Sequence, residues 1–166
     1  DMFLDYKPPT PDRPRPKPLT ERMAGVRLLI EAADGDEMKA VIALCGFAGL
    51  RISEALGVHP RNIDFKRKTI LIRGKGDKER TVPLSDELRG VIAALVVRRW
   101  DEPTLVNIGD RSARDRITRL GEQVGLDHII SSHHLRATFA TQVMEDTHDL
   151  RLVQELLGHA LSLIHI

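Results

Sequence analysis

Residues 69–84 read TILIRGKGDKERTVPL. Two short β-branched runs, TILIR at 69–73 and RTVPL at 80–84, flank a polar tip in which Gly74, Gly76 and Asp77 supply turn chemistry. Alternating character on both sides of such a tip predicts an antiparallel hairpin. The NIDF segment at 62–65 offers a third strand. On either side of this region the period changes. Upstream, Met23, Val26, Leu29, Ile30 and Ala33 recur at helical spacing behind Thr20, a candidate N-cap. A second helix is predicted over residues 36–48; it is apolar on most faces and therefore buried, and Gly49 stops it. Downstream, Ser85 caps a helix reaching about residue 100, with Asp86 and Glu87 in its first turn where the dipole favours acids. Further helices are predicted over 110–124, 131–144 and 150–157. The fold class is therefore mainly α with a small antiparallel β-sheet, an α+β arrangement.

At 166 residues the chain suits one domain with a real core, and 42% apolar with 30% charged residues is a globular composition. A net charge of +1 leaves any polyanionic partner to be argued from local charge alone. The single cysteine, Cys45, allows no internal disulfide and reads as a small buried hydrophobe. No secretory signal opens the sequence, and the longest uncharged apolar run is too short to cross a bilayer, so a soluble, cytoplasmic protein without membrane contact is expected. Residues 7–18, KPPTPDRPRPKP, hold six prolines. Proline removes amide donors and favours extended geometry, so residues 1–18 read as a Pro-rich tail or interdomain linker. Residues 19–160 read as the folded domain, and 161–166 as an atypical, mostly apolar end.

Four places could carry chemistry. Arg51 in GLRISEAL follows a glycine stop, with Glu54 three residues on. The pair is either an ordinary surface ion pair or an arginine fork for phosphate oxygens, with Glu54 orienting it. Lys75 lies between two glycines at the hairpin tip, either solvated or poised to donate a proton; the glycine spacing is not that of a P-loop. His133 and Arg136 in SSHHLR share one helical face, as a polar stripe or as a phosphate-holding pair, while His134 points elsewhere. His159 follows Gly158 at the end of the last helix, in LLGH. No spacing of histidines and cysteines suggests a metal site.

The order GLRISE, a G-K-G hairpin, HHLR and LLGH resembles the catalytic signature of the tyrosine recombinases, the phage-integrase and Xer-like family, over residues 19–159. The resemblance implies the recombinase catalytic-domain fold and definite roles. Arg51 and Arg136 would clamp the scissile phosphate, Lys75 would protonate the leaving 5′-oxygen, His133 would assist proton transfer and His159 would donate a hydrogen bond to the phosphate. Glu54 would be supporting. No cofactor or metal is implied, because the arginines supply the positive charge. The family's nucleophilic tyrosine would fall just past Ile166. The only tyrosine, Tyr6, lies where no family motif places a nucleophile. The expectation is a catalytic domain incomplete at its C-terminal side and inactive as it stands. The family acts as a homo-tetramer on DNA and often passes its last helix to a neighbour, so assembly should be weakened here.

Local charge agrees with double-stranded DNA as partner. Between residues 59 and 80, eight basic residues, Arg73, Lys78 and Arg80 among them, face three acids. A second arginine cluster lies at 111–119. Four Phe, one Trp and one Tyr are too few for a stacking platform, so phosphate contacts to duplex are the expected mode. Two other readings remain: a DNA-binding module or decayed integrase without chemistry, and an enzyme acting on small phosphomonoesters.

Overall fold

The computed structural model describes residues 17–158. Three helices come first: α1 (Met23–Ala32), α2 (Asp36–Ala48) and α3 (Ile52–Leu56). A three-stranded antiparallel sheet follows, β1 (Ile63–Asp64), β2 (Thr69–Arg73) and β3 (Glu79–Pro83), in the spatial order of the chain. Four helices complete the fold: α4 (Asp86–Arg98), α5 (Asp110–Gln123), α6 (Ser132–Thr147) and α7 (Leu150–Leu157).

The helix α2 is the hub, as its all-round apolar composition predicts. Met38, Val41, Ile42, Leu44 and Cys45 are all buried, and α1, α4 and α6 pack around it. Burial pushes the Cys45 thiol up to about 12, leaving an inert packing group. Gly49 ends α2 in the left-handed region, with φ 71°. A side chain there would be strained, and its Cβ would sit 2.3 Å from Phe139 Cδ1. Phe139 of α6 thus packs directly on the turn backbone, and the chain passes at once into α3.

The sheet covers another flank of the core. The register pairs Ile70 with Val82 and Ile72 with Arg80, and Ile70, Ile72 and Val82 are buried. Ser85 caps α4 as expected, its Oγ accepting from the Leu88 N–H at 3.2 Å. Buried Ala113, Ile117 and Leu120 make the inner face of α5, leaving Arg111, Arg116 and Arg119 exposed.

Thr20 does not cap α1. The helix begins at Met23 with Arg22 before it at φ 58°, because a turn joins the Arg22 N–H to the Leu19 carbonyl at 3.0 Å. That turn is fixed by tertiary contact: Leu19 is fully buried and its N–H donates to Thr138 Oγ1 of α6 at 2.9 Å. An anchor 119 residues away in sequence overrides a local capping preference.

Candidate active site

The site is organised around one buried carboxylate. Arg51 stands at the N-cap of α3 in extended conformation, and Glu54 is the third residue of that helix. Glu54 Oε1 accepts from the Arg51 main-chain N–H at 2.9 Å, satisfying an orphan donor of the first turn. The same carboxylate meets three guanidinium groups. Arg80 forks onto it, Nη1 on Oε2 and Nη2 on Oε1, the latter at 3.0 Å. Arg51 Nη1 lies 3.8 Å from Oε2, and Arg136 Nη1 lies 3.7 Å from Oε1. Arg51 and Arg136, 85 positions apart in the chain, are therefore neighbours across Glu54.

Arg136 is fixed by main-chain acceptors. Its Nη1 donates to the Gly49 carbonyl at 3.0 Å and its Nη2 to the Leu157 carbonyl at 2.9 Å. One side chain on α6 thus holds the end of α2 and the end of α7 together. The Arg136 side chain is 11% exposed, that of Arg51 46% and that of Glu54 4%. One arginine is built in and the other is presented to solvent.

Charge in the cluster is unbalanced. Burial pulls the Arg136 guanidinium down to about 10, and repulsion from Arg51 and Arg80 adds to this while Glu54 opposes it. Burial pushes the Glu54 carboxyl up, but the Arg80 hydrogen bonds, the Arg51 amide and the charges of both arginines outweigh it, holding it below the usual carboxylate range. At neutral pH three cations surround one anion.

The hairpin tip comes to the edge of this cluster. A Cβ on Gly74 would meet Glu54 Oε2 at 3.3 Å, so the backbone entering the tip abuts the carboxylate. Lys75 follows at the start of a 3-10 turn over Lys75–Asp77, with Gly76 at φ 75°. The backbone of Lys75 is thus next to the site. Arg73 at the end of β2 and Lys78 just before β3 are exposed; Arg73 pairs with Glu79 at 3.2 Å and lines a cleft of about 360 Å³ shared with Glu54, His59, Arg61 and Leu71. His159 lies outside the described residues, as do residues 1–16 with Tyr6 and the end at 161–166.

His133 is exposed on the first turn of α6, one turn before Arg136. His134 does structural work of a kind the sequence reading missed. Its Nδ1 accepts from the Ser131 N–H at 3.0 Å, closing the N-terminus of α6, and its ring lies 4.9 Å from that of His128. A capping box with histidine in place of glutamate gives no standard sequence signal. Burial, then the nearby His128 and His133, pull the His134 ring below its ordinary value. A histidine depressed in the fold contributes its full stability above the unfolded value of 6.5, and loses it as pH falls toward the folded value. Replacing His134 with alanine should cost about 1 kcal/mol in urea denaturation at pH 7.5 and remove that acid-side loss. An unchanged pH profile would show that the ring does not cap the helix.

Arg80 also departs from expectation. It was expected on the DNA-gripping surface, yet its side chain is 13% exposed and all three nitrogens bond within the protein, Nε donating to the Leu156 carbonyl at 2.9 Å. The strand period explains this. Arg80 shares the inward face of β3 with Val82, while Glu79, Thr81 and Pro83 face solvent.

The sequence model of the phage integrase family matches residues 24–163, most of the chain and all the elements of this site. The chain belongs to the phage integrase family. Among curated tyrosine recombinases, XerD of Mycobacterium tuberculosis is 36% identical over an alignment of 185 positions, which covers 96% of this chain and 58% of that protein. The solved structure of XerA recombinase superposes with a TM-score of 0.75 at 28% identity, covering 93% of this chain and 58% of the other. XerH site-specific recombinase, solved in a pre-cleavage complex with its difH substrate, gives a TM-score of 0.75 at 26% identity over 87% of this chain and 47% of the other. The chain thus spans little more than half the length of the curated relatives it matches, and its mainly helical architecture with one small sheet is that of a tyrosine recombinase catalytic domain. Among the described residues no group of histidine, cysteine and carboxylate side chains is gathered as metal ligands, and no helix is long and apolar enough to cross a membrane.

Proposed function

We propose that this chain is the catalytic domain of a site-specific recombinase that cleaves and rejoins duplex DNA through a 3′-phosphotyrosyl bond. The observation that carries the reading is the meeting of Arg51 and Arg136 across Glu54, in a cluster with more positive than negative charge. In the proposed reaction a tyrosine hydroxyl gives up its proton with the help of His133 as its oxygen attacks phosphorus, the bond to the 5′-oxygen breaks, and Lys75 gives a proton to that oxygen. Arg51 and Arg136 hold the non-bridging oxygens as charge builds on them, His133 assists proton transfer, and His159 donates a hydrogen bond to the phosphate. The reverse attack by a 5′-hydroxyl rejoins the strand, the covalent bond having kept the phosphodiester energy. Arg73 and Lys78 hold the duplex backbone beside the tip. Assembly on DNA is tetrameric, as in the family the chain resembles.

The nucleophile is not Tyr6, the one tyrosine in the sequence, which falls in the Pro-rich segment. The chain alone should therefore bind duplex without cutting it. On a suicide duplex nicked near the scissile phosphate it should give no covalent adduct, whereas a chain extended to the length of its relatives should give one. Affinity for duplex should fall by about 10³-fold or more between 50 and 200 mM salt, as for several phosphate contacts. Absence of an adduct with the extended chain, alongside retained duplex binding, would favour the second reading: a DNA-binding module without chemistry.

A further inference from the structure

Arg80 has no role in the chemistry proposed above, yet it is the group most fully engaged with Glu54. Its fork takes both carboxylate oxygens, while Arg51 and Arg136 stand 3.7 Å or more away from them. Its Nε holds the Leu156 carbonyl, one of the orphan acceptors at the end of α7. The Gly158 that closes α7, at φ 75°, packs on the guanidinium itself: a Cβ there would lie 2.9 Å from Nη1 and 3.0 Å from Cδ.

We propose that Arg80 is a positioning residue that occupies the Glu54 carboxylate, so that Arg51 and Arg136 remain available to a phosphate. The inference rests on the assignment of those two arginines as the phosphate clamp. A buried carboxylate facing three guanidinium groups will form its shortest contacts with one of them, and the geometry determines which. With Arg80 in place, Glu54 fixes the Arg51 main chain and leaves the Arg51 and Arg136 forks unpaired with it at close range. Without Arg80 the carboxylate would draw on both, and a phosphate would have to compete with a resident anion. The same guanidinium anchors the end of α7, the element from which the chain runs on to His159. Lysine cannot substitute fully, because an ammonium offers one point charge where the site uses a planar fork plus Nε.

The test uses the chain as it stands and inorganic phosphate as the probe, read from the side-chain Nε–H NMR signals of Arg51 and Arg136. Phosphate should shift both signals in the parent chain. In Arg80→Ala the apparent affinity should drop about tenfold, from one uncompensated charge at short range in a partly screened site. The decisive variant is the double one: Glu54→Gln added to Arg80→Ala removes the competing charge and should bring affinity back to within about threefold of the parent. A merely structural Arg80 predicts the opposite, since a second change in the same network would weaken binding further. Arg80→Lys, which retains a cation and is the milder change, should bind phosphate with intermediate affinity and serves if the alanine variant does not fold. Unaltered phosphate affinity in folded Arg80→Ala or Arg80→Lys, or a double variant weaker than the single one, overturns the proposal. A parent chain in which phosphate moves neither arginine signal refutes the clamp assignment itself, and the role of Arg80 with it.

Discussion

Replacing Glu54 with alanine should destabilise the fold by about 3–5 kcal/mol, because it leaves buried cations without their shared anion. Arg80 and Arg136 both have most of their side chains out of water, and each points a guanidinium at this one carboxylate. The Arg51 N–H at the start of α3 would lose its acceptor as well. Urea denaturation at pH 7 gives the measurement, and a loss below about 1 kcal/mol would mean that the cluster relaxes into solvent rather than holding three elements together. Glu54→Gln should cost less, since the amide oxygen can still accept from Arg51 and one guanidinium. The pH dependence has a definite sign. A carboxylate held below its usual value of 4.5 in the fold contributes stability that is complete above 4.5 and is lost as pH falls through the folded value. The parent chain should therefore show a steeper acid-side decline than Glu54→Gln. Equal slopes would place the acid-labile groups elsewhere.

The helices and the hairpin were legible because local chemistry and tertiary need agree there. The apolar run at 36–48, the glycine at 49 and the serine at 85 each do in the fold what their residue types favour. The start of α1 was not legible, since a buried Leu19 tied to Thr138 decides it and nothing near Thr20 records that contact. In the site, Arg51, Glu54 and Arg136 could be named from the order of short motifs, though no spacing rule brings residues 51 and 136 together. The grip of Arg136 on the Gly49 and Leu157 carbonyls leaves no trace in sequence, because a main-chain acceptor is the same for every residue type. Arg80 was readable in principle. Period-two alternation puts it on the face of Val82, but the surplus of basic residues around it makes a solvated surface the simpler reading. A cation on the inward face of a strand, within reach of a buried carboxylate, is better read as a pair than as a contact for DNA.

Arg51→Ala should slow the chemistry severely while leaving the fold almost untouched, and that separation makes it the sharpest test of the site. Its guanidinium is nearly half exposed and its nearest ionic contact is 3.8 Å away, a pair of the kind that contributes well under about 1 kcal/mol. The contact that organises α3 is made by the Arg51 main-chain N–H, which alanine retains. Arg136→Ala is a poorer probe, because it also frees the Gly49 and Leu157 carbonyls and would lower stability along with activity. In a chain extended to the length of its relatives, Arg51→Ala should slow adduct formation on the suicide duplex by about 10²–10³-fold, the usual cost of losing a preorganised donor to a developing oxyanion. Duplex affinity should change by less than about tenfold, since most of it comes from phosphates away from the scissile one. Arg51→Lys should recover little, because one ammonium cannot span two non-bridging oxygens. Adduct formation at the parent rate in folded Arg51→Ala would remove this residue from the chemistry. The exposed guanidinium would then be an ordinary surface charge beside a buried structural carboxylate.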